Sequence, residues 1–148
     1  MFYAVIDTNV LVSALLNVQS NPGVVLQSVF EGATIPLMNT EIITEYWTVL
    51  TREKFSFPVK LVDVVLRRFV ECGLLVSVSL EGHQDVVDPK DRCFYAVTLS
   101  GREAGDALLI TGNVRHFPRK PFVLSPAQFV EKLRENGDGT CWKGKSSV

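Results

Sequence analysis

Short apolar runs alternate along the chain with longer stretches in which hydrophobic residues recur every three or four positions, and polar elbows separate the two kinds of segment. The run Phe2 to Ile6 is rich in β-formers and stops at Asp7-Thr8-Asn9, after which VLVSALL has helical length. This predicts a strand, a polar elbow and a helix. Asn21-Pro22-Gly23 reads as punctuation before a helix carrying Val24, Val25, Leu26, Val29 and Phe30, which ends at Gly32. A second strand is expected over Thr34 to Met38. Asn39 or Thr40 then caps a helix from about Glu41 to Arg52, with Ile42, Ile43, Tyr46, Val49 and Leu50 inward.

Pro58 opens a further amphipathic helix in which Val62, Val65, Leu66 and Phe69 share a face, with Arg67 and Arg68 outside and Gly73 at its end. Leu74 to Val78 is the third expected strand. Asp88-Pro89 starts a helix to about Ser100, Ala107 to Thr111 is a fourth strand and Phe122 to Leu124 a fifth, and Ser125-Pro126 caps a last helix to about Glu135. The tail from Asn136 to Val148 is rich in Gly, Ser and Lys without periodicity, and is expected to be mobile. Strands alternating with helices at this spacing predict an α/β fold with an open parallel sheet covered on both faces, and its ligands belong at the carboxyl ends of the strands.

Composition narrows the picture. A length of 148 residues suits one domain, taken as residues 1–135, and a 47% hydrophobic content with 21% charge excludes disorder for its bulk. The net charge of −1 gives no global positive field, so any polyanion has to be gripped locally. Cys72, Cys93 and Cys141 are few and widely spaced, which argues against a disulfide framework or zinc site and for a reducing cytoplasm. No apolar run reaches the ~20 residues that span a bilayer, and no signal peptide is expected.

Several polar residues fall at the predicted carboxyl edge. Asp7 follows the first strand directly, where it serves either as a helix N-cap or as a carboxylate in the crevice. Glu45 lies three residues after Ile42 and four before Val49, on the stripe that faces the sheet, unless its long side chain snorkels outward. Glu41 is explained by the helix dipole. Asp88 is an N-cap with Pro89 at the first helical position; Asp91, at the third, suits the helix dipole and also stands at a helix mouth able to share the crevice with Asp7. Asp85 and Asp106 read as loop and turn residues.

Thr111-Gly112-Asn113 brings a hydroxyl, an open backbone and an amide to the same edge. Arg115, His116, Arg119 and Lys120 then form the densest basic cluster, which is either solvated surface or a grip on phosphates. If the acids meet, two carboxylates ~4 Å apart repel by ~4 kcal/mol at an effective dielectric near 20. Either raised pKa values or a hard divalent cation must relieve this, and oxygen-only ligands select Mg²⁺ or Mn²⁺ over zinc.

With VIDTNVLVSALL, TEIITEYWTVLTREKF, DPKDRCFYAV, LLITGNVRHFP and FVLSPAQFV in this order, the chain resembles the PIN-domain family from Met1 to about Leu133. The family comprises small metal-dependent ribonucleases, among them the VapC-type toxins of toxin-antitoxin systems. The resemblance implies a parallel five-stranded α/β/α sandwich with strand order 3-2-1-4-5. It implies that Asp7, Glu45 and Asp91 supply the acidic site that holds Mg²⁺ or Mn²⁺, supported by Thr8, Asn9, Asp88, Thr111 and Asn113, with Arg115, His116 and Arg119 on the RNA substrate. Where this chain has Asn113 the family often has a fourth aspartate, which removes one charge and puts a second metal in doubt. Pairing into dimers or higher oligomers and binding of a cognate antitoxin are also implied.

Two other enzyme readings fare worse: a haloacid-dehalogenase-type phosphohydrolase needs an aspartate where Asn9 stands, and a dinucleotide module needs a G-x-G-x-x-G that the chain lacks. A PIN fold that binds RNA or protein without cleaving is the alternative of a different class.

Overall fold

The computed structural model describes residues 1–78 and 88–136. The strands are β1 (Phe2–Ile6), β2 (Thr34–Met38), β3 (Leu74–Leu75), β4 (Leu108–Ile110) and β5 (Val123–Leu124), all parallel, in the order β3-β2-β1-β4-β5. The helices are α1 (Thr8–Leu16), α2 (Asn21–Phe30), α3 (Thr40–Leu50), α4 (Val59–Glu71), α5 (Pro89–Ala104) and α6 (Pro126–Asn136). The sheet is flanked by helices, as the three-layer α/β/α reading requires. α5 lies across β1, β2 and β4, while α2 packs on β2 and against α1 and α6.

The carboxyl half of the central strand is sealed from water: Ala4, Val5 and Ile6 are fully buried, as expected of a parallel strand covered on both faces, while Tyr3 nearer its start is exposed. β1 is paired with β4 through Ala4↔Leu108, Val5↔Leu109 and Ile6↔Ile110. From β1 the chain first steps outward through β2 to β3, then returns to lay β4 and β5 on the other side. The strand order therefore reverses between β1 and β4, and the crevice above their carboxyl ends is the switch point where such sheets bind ligands.

The strongly amphipathic α4 behaves as its pattern demands, burying Val62, Leu66 and Phe69 and exposing Arg67 and Arg68. Other boundaries differ from the sequence expectation. Asn21-Pro22-Gly23 is the first turn of α2 rather than punctuation: Ser20 is the N-cap, its Oγ accepts from the Gly23 N–H at 3.2 Å, and a proline in the first turn forgoes only an N–H that has no helical partner. The third strand stops at Leu75, with one further ladder bond from the Val76 N–H to the Met38 carbonyl at 2.7 Å. α5 runs on to Ala104, and short 3₁₀ turns stand at Glu53–Phe55 and Val114–His116. Asp85 and the tail from Gly137 to Val148 lie outside the described residues.

Two glycines carry conformational or steric duties. Gly32 closes α2 with φ +83°, a left-handed conformation that L side chains seldom adopt. Gly73 delivers the chain to β3 so closely that an added Cβ would sit 2.6 Å from the Pro36 carbonyl oxygen and 2.5 Å from Met38 Cε. Gly73→Ala is therefore expected to push β3 from β2 and to destabilise the fold by about 1–3 kcal/mol, read as a lower urea midpoint at unchanged slope.

Candidate active site

Asp7 takes the N-cap position of α1 in backbone terms, with φ −64°, ψ 146° and its carbonyl accepting from the Val10 N–H at 3.0 Å, yet its side chain makes no capping bond. The carboxylate turns to the neighbouring strand instead. Thr111, the residue after β4, is fully buried and its hydroxyl donates to Asp7 Oδ2 at 2.7 Å while accepting from the Asn113 N–H at 3.0 Å. The Asp7 N–H donates to the Ile110 carbonyl at 2.9 Å, so the β1–β4 pairing itself brings these side chains together. Burial raises the Asp7 pKa above its ordinary value; the Thr111 hydroxyl and Thr8 N–H oppose this, the Glu45 charge adds to it and His116 opposes it.

Asp91 occupies the third position of α5, and its N–H donates to the Asp88 carbonyl at 3.0 Å. Its Oδ2 is buried and makes no hydrogen bond, and the His116 ring stands beside it with Nδ1 at 3.6 Å. Burial, then the charges of Asp7 and Asp88, push its pKa up to about 6, with His116 acting against them and Glu45 with them. Asp7, Glu45, Asp88 and Asp91 thus share one electrostatic neighbourhood although Asp88 is exposed and Glu45 half-buried.

Glu45 comes from α3, whose start is fixed by Asn39: its Oδ1 accepts from the Ile42 N–H at 2.9 Å. The same amide pairs with the Cys93 thiol on α5 at 3.3 Å, tying the two helices at their site ends. Burial foremost pushes the Cys93 thiol pKa up. One residue along α3, the fully buried Tyr46 donates its hydroxyl to the Ile6 carbonyl at 2.5 Å. The periodicity placed Tyr46 in the core, and only the need of a buried phenol for a partner hinted at more. Sequence reasoning had no means of naming that partner.

The supporting residues divide. Thr8 is buried and its Oγ1 has no hydrogen-bond partner, whereas Asn9 is exposed. Asn113 is half-buried before the Val114–His116 turn, without a side-chain capping bond. Residues Gly112 to His116 line a hollow of about 390 Å³. Arg115, His116, Arg119 and Lys120 are exposed, but His116 leans on Asp91, a pairing no spacing argument anticipated.

The donors suit a hard divalent cation in kind: they are carboxylate and hydroxyl oxygens, one of them a buried carboxylate oxygen with no hydrogen bond. Among the described residues, no three His, Cys, Asp or Glu side chains stand together as a ready ligand set, so the fit is one of donor chemistry and charge.

A sequence model described as the PIN domain matches residues 3–115, well over half of the 148. The chain belongs to the PIN-domain family. No curated protein and no solved structure matches it. PIN domains are generally nucleases and usually use divalent metal ions. The match ends within the Val114–His116 turn, earlier than the likeness to about Leu133; β5 and α6 complete the sandwich beyond it. No helix of the described residues of this PIN domain is long and apolar enough to cross a membrane.

The raised Asp91 pKa has a direct consequence for stability. Its folded value of about 6 exceeds the ordinary 3.8, so the folded chain holds this proton more tightly and stability from this source falls as pH rises from about 4 to about 6. In EDTA, Asp91→Asn is expected to be more stable than the native chain at pH 7 by on the order of 1 kcal/mol, with the gap closing by pH 4. Urea unfolding at the two pH values checks this; a gap independent of pH contradicts it.

Proposed function

We propose that this PIN domain is a Mg²⁺- or Mn²⁺-dependent endoribonuclease and the toxin component of a toxin-antitoxin system. The observation that carries the reading is Asp91, which feels the charges of Asp7 and Glu45 and keeps a buried oxygen with no hydrogen bond and a pKa raised to about 6. Like charges held this way call for a counter-cation. Asp7 and Asp91 are the principal ligands in this reading and Glu45 a ligand or a group that orients water. When bound, such an ion lowers the pKa of water for attack on a phosphodiester and stabilises charge on the leaving oxygen.

The remaining residues take positioning and binding roles. Thr111 holds Asp7 in one rotamer through its 2.7 Å hydrogen bond. In this reading Thr8, Asn9, Asp88 and Asn113 support the acids, and Asn113 offers a neutral oxygen but cannot serve as a base. The exposed Arg115, His116 and Arg119 give the local grip on phosphates that a net charge of −1 does not supply globally. A homodimer or higher oligomer and a cognate antitoxin complete the proposal. Free Cys72 and Cys93 suit a reducing cytoplasm.

The second reading is a PIN domain that binds RNA or protein without cutting. Asn113 and the lack of a ready ligand set among the described residues favour it.

Cleavage of a labelled single-stranded RNA in Mn²⁺, Mg²⁺ or EDTA separates the two. Metal-dependent cutting is expected, with Asp7→Asn and Asp91→Asn reduced to background at unchanged circular dichroism. Thr111→Val, which frees the Asp7 carboxylate from its partner, is expected to lower the rate by about ten- to a hundredfold. Cutting that survives both aspartate changes defeats the site; RNA retained but uncut by the native chain supports the second reading. A short acidic protein with a DNA-binding motif encoded alongside, co-purifying with this chain, is the expected sign of the antitoxin.

A further inference from the structure

Three elements carry the three acids: Asp7 directly follows β1, Glu45 lies on α3 and Asp91 stands in the first turn of α5. One side chain touches all three. Tyr46, next to Glu45, packs its ring edge-on to Phe69 of α4 at 5.5 Å and against Phe94 of α5, three residues beyond Asp91, at 6.2 Å. Its hydroxyl reaches the Ile6 carbonyl at 2.5 Å, the last residue before Asp7. The ring is fully buried, so it has no free volume in which to change rotamer, and the hydroxyl has no water to turn to.

We infer that Tyr46 is a positioning residue for the acidic site: its hydroxyl clamps the carboxyl end of β1 to α3 and so sets Asp7 relative to Glu45, while its ring sets both relative to α5. The inference rests on the reading of these acids as cation ligands. A clamp of this kind acts on ligands at second hand, where loss typically weakens metal affinity by ten- to a hundredfold.

The experiment compares Mn²⁺ binding, by calorimetry, in the native chain, in Tyr46→Phe and in Ser28→Ala. Tyr46→Phe removes one oxygen and keeps the ring, so it is expected to fold. Ser28→Ala likewise removes one buried hydroxyl, which donates to the Val25 carbonyl at 2.6 Å and pairs with Thr34 Oγ1 at 2.8 Å at the opposite, amino edge of the sheet. Both are expected to lose thermal stability, but only Tyr46→Phe is expected to bind Mn²⁺ about tenfold or more weakly, with affinity for single-stranded RNA in EDTA unchanged. Equal Mn²⁺ affinity in all three, or an equal fall in both variants, overturns the positioning role and leaves the metal reading standing. A native chain that takes up no Mn²⁺ overturns both.

Discussion

A carboxylate is held out of water at the joint between β1 and β4, and the architecture of the site follows from how it is kept there. Desolvating Asp7 is costly unless its oxygens are satisfied, and the chain meets that need with the Thr111 hydroxyl delivered by the adjacent parallel strand. The two residues are 104 positions apart, yet the Val5↔Leu109 and Ile6↔Ile110 register leaves each one step past its strand and on the same edge. The site is thus a consequence of strand pairing. A shift of either strand by one residue would turn Asp7 or Thr111 to the opposite face.

The edge is also electrically divided. Asp7, Glu45 and Asp91 come from the end of β1, from α3 and from α5, and the densest run of basic residues, Arg115, His116, Arg119 and Lys120, follows β4. His116 bridges the two halves, close enough to Asp91 to moderate its charge and exposed enough to meet a ligand.

Much of this was legible in the sequence, for identifiable reasons. The strands came from continuous β-forming runs, and α4 from the strict spacing of Val62, Leu66 and Phe69, because burial enforces both patterns. Asp7 and Thr111 were marked by standing where apolar segments stop, and Asp91 by standing at the mouth of a helix. Less legible were features set by partners distant in sequence. Whether Asp7 capped its helix or faced the crevice depended on Thr111, the length of the third strand depended on how far β2 could pair with it, and the hydroxyl of Tyr46 found the Ile6 carbonyl forty residues away. Asn21-Pro22-Gly23 misled because turn formers and first-turn residues overlap, and only the Ser20 cap tells them apart.

The brevity of β3 has a consequence for the solubility of the molecule. Among the described residues it is the outermost strand on its side, and Leu74 and Leu75 are both exposed there, the kind of apolar margin that in a longer strand would template aggregation. Two residues present too few amide and carbonyl groups for a foreign strand to zip along, so stickiness at this margin is confined to side chains and has no backbone ladder to extend it into a fibril.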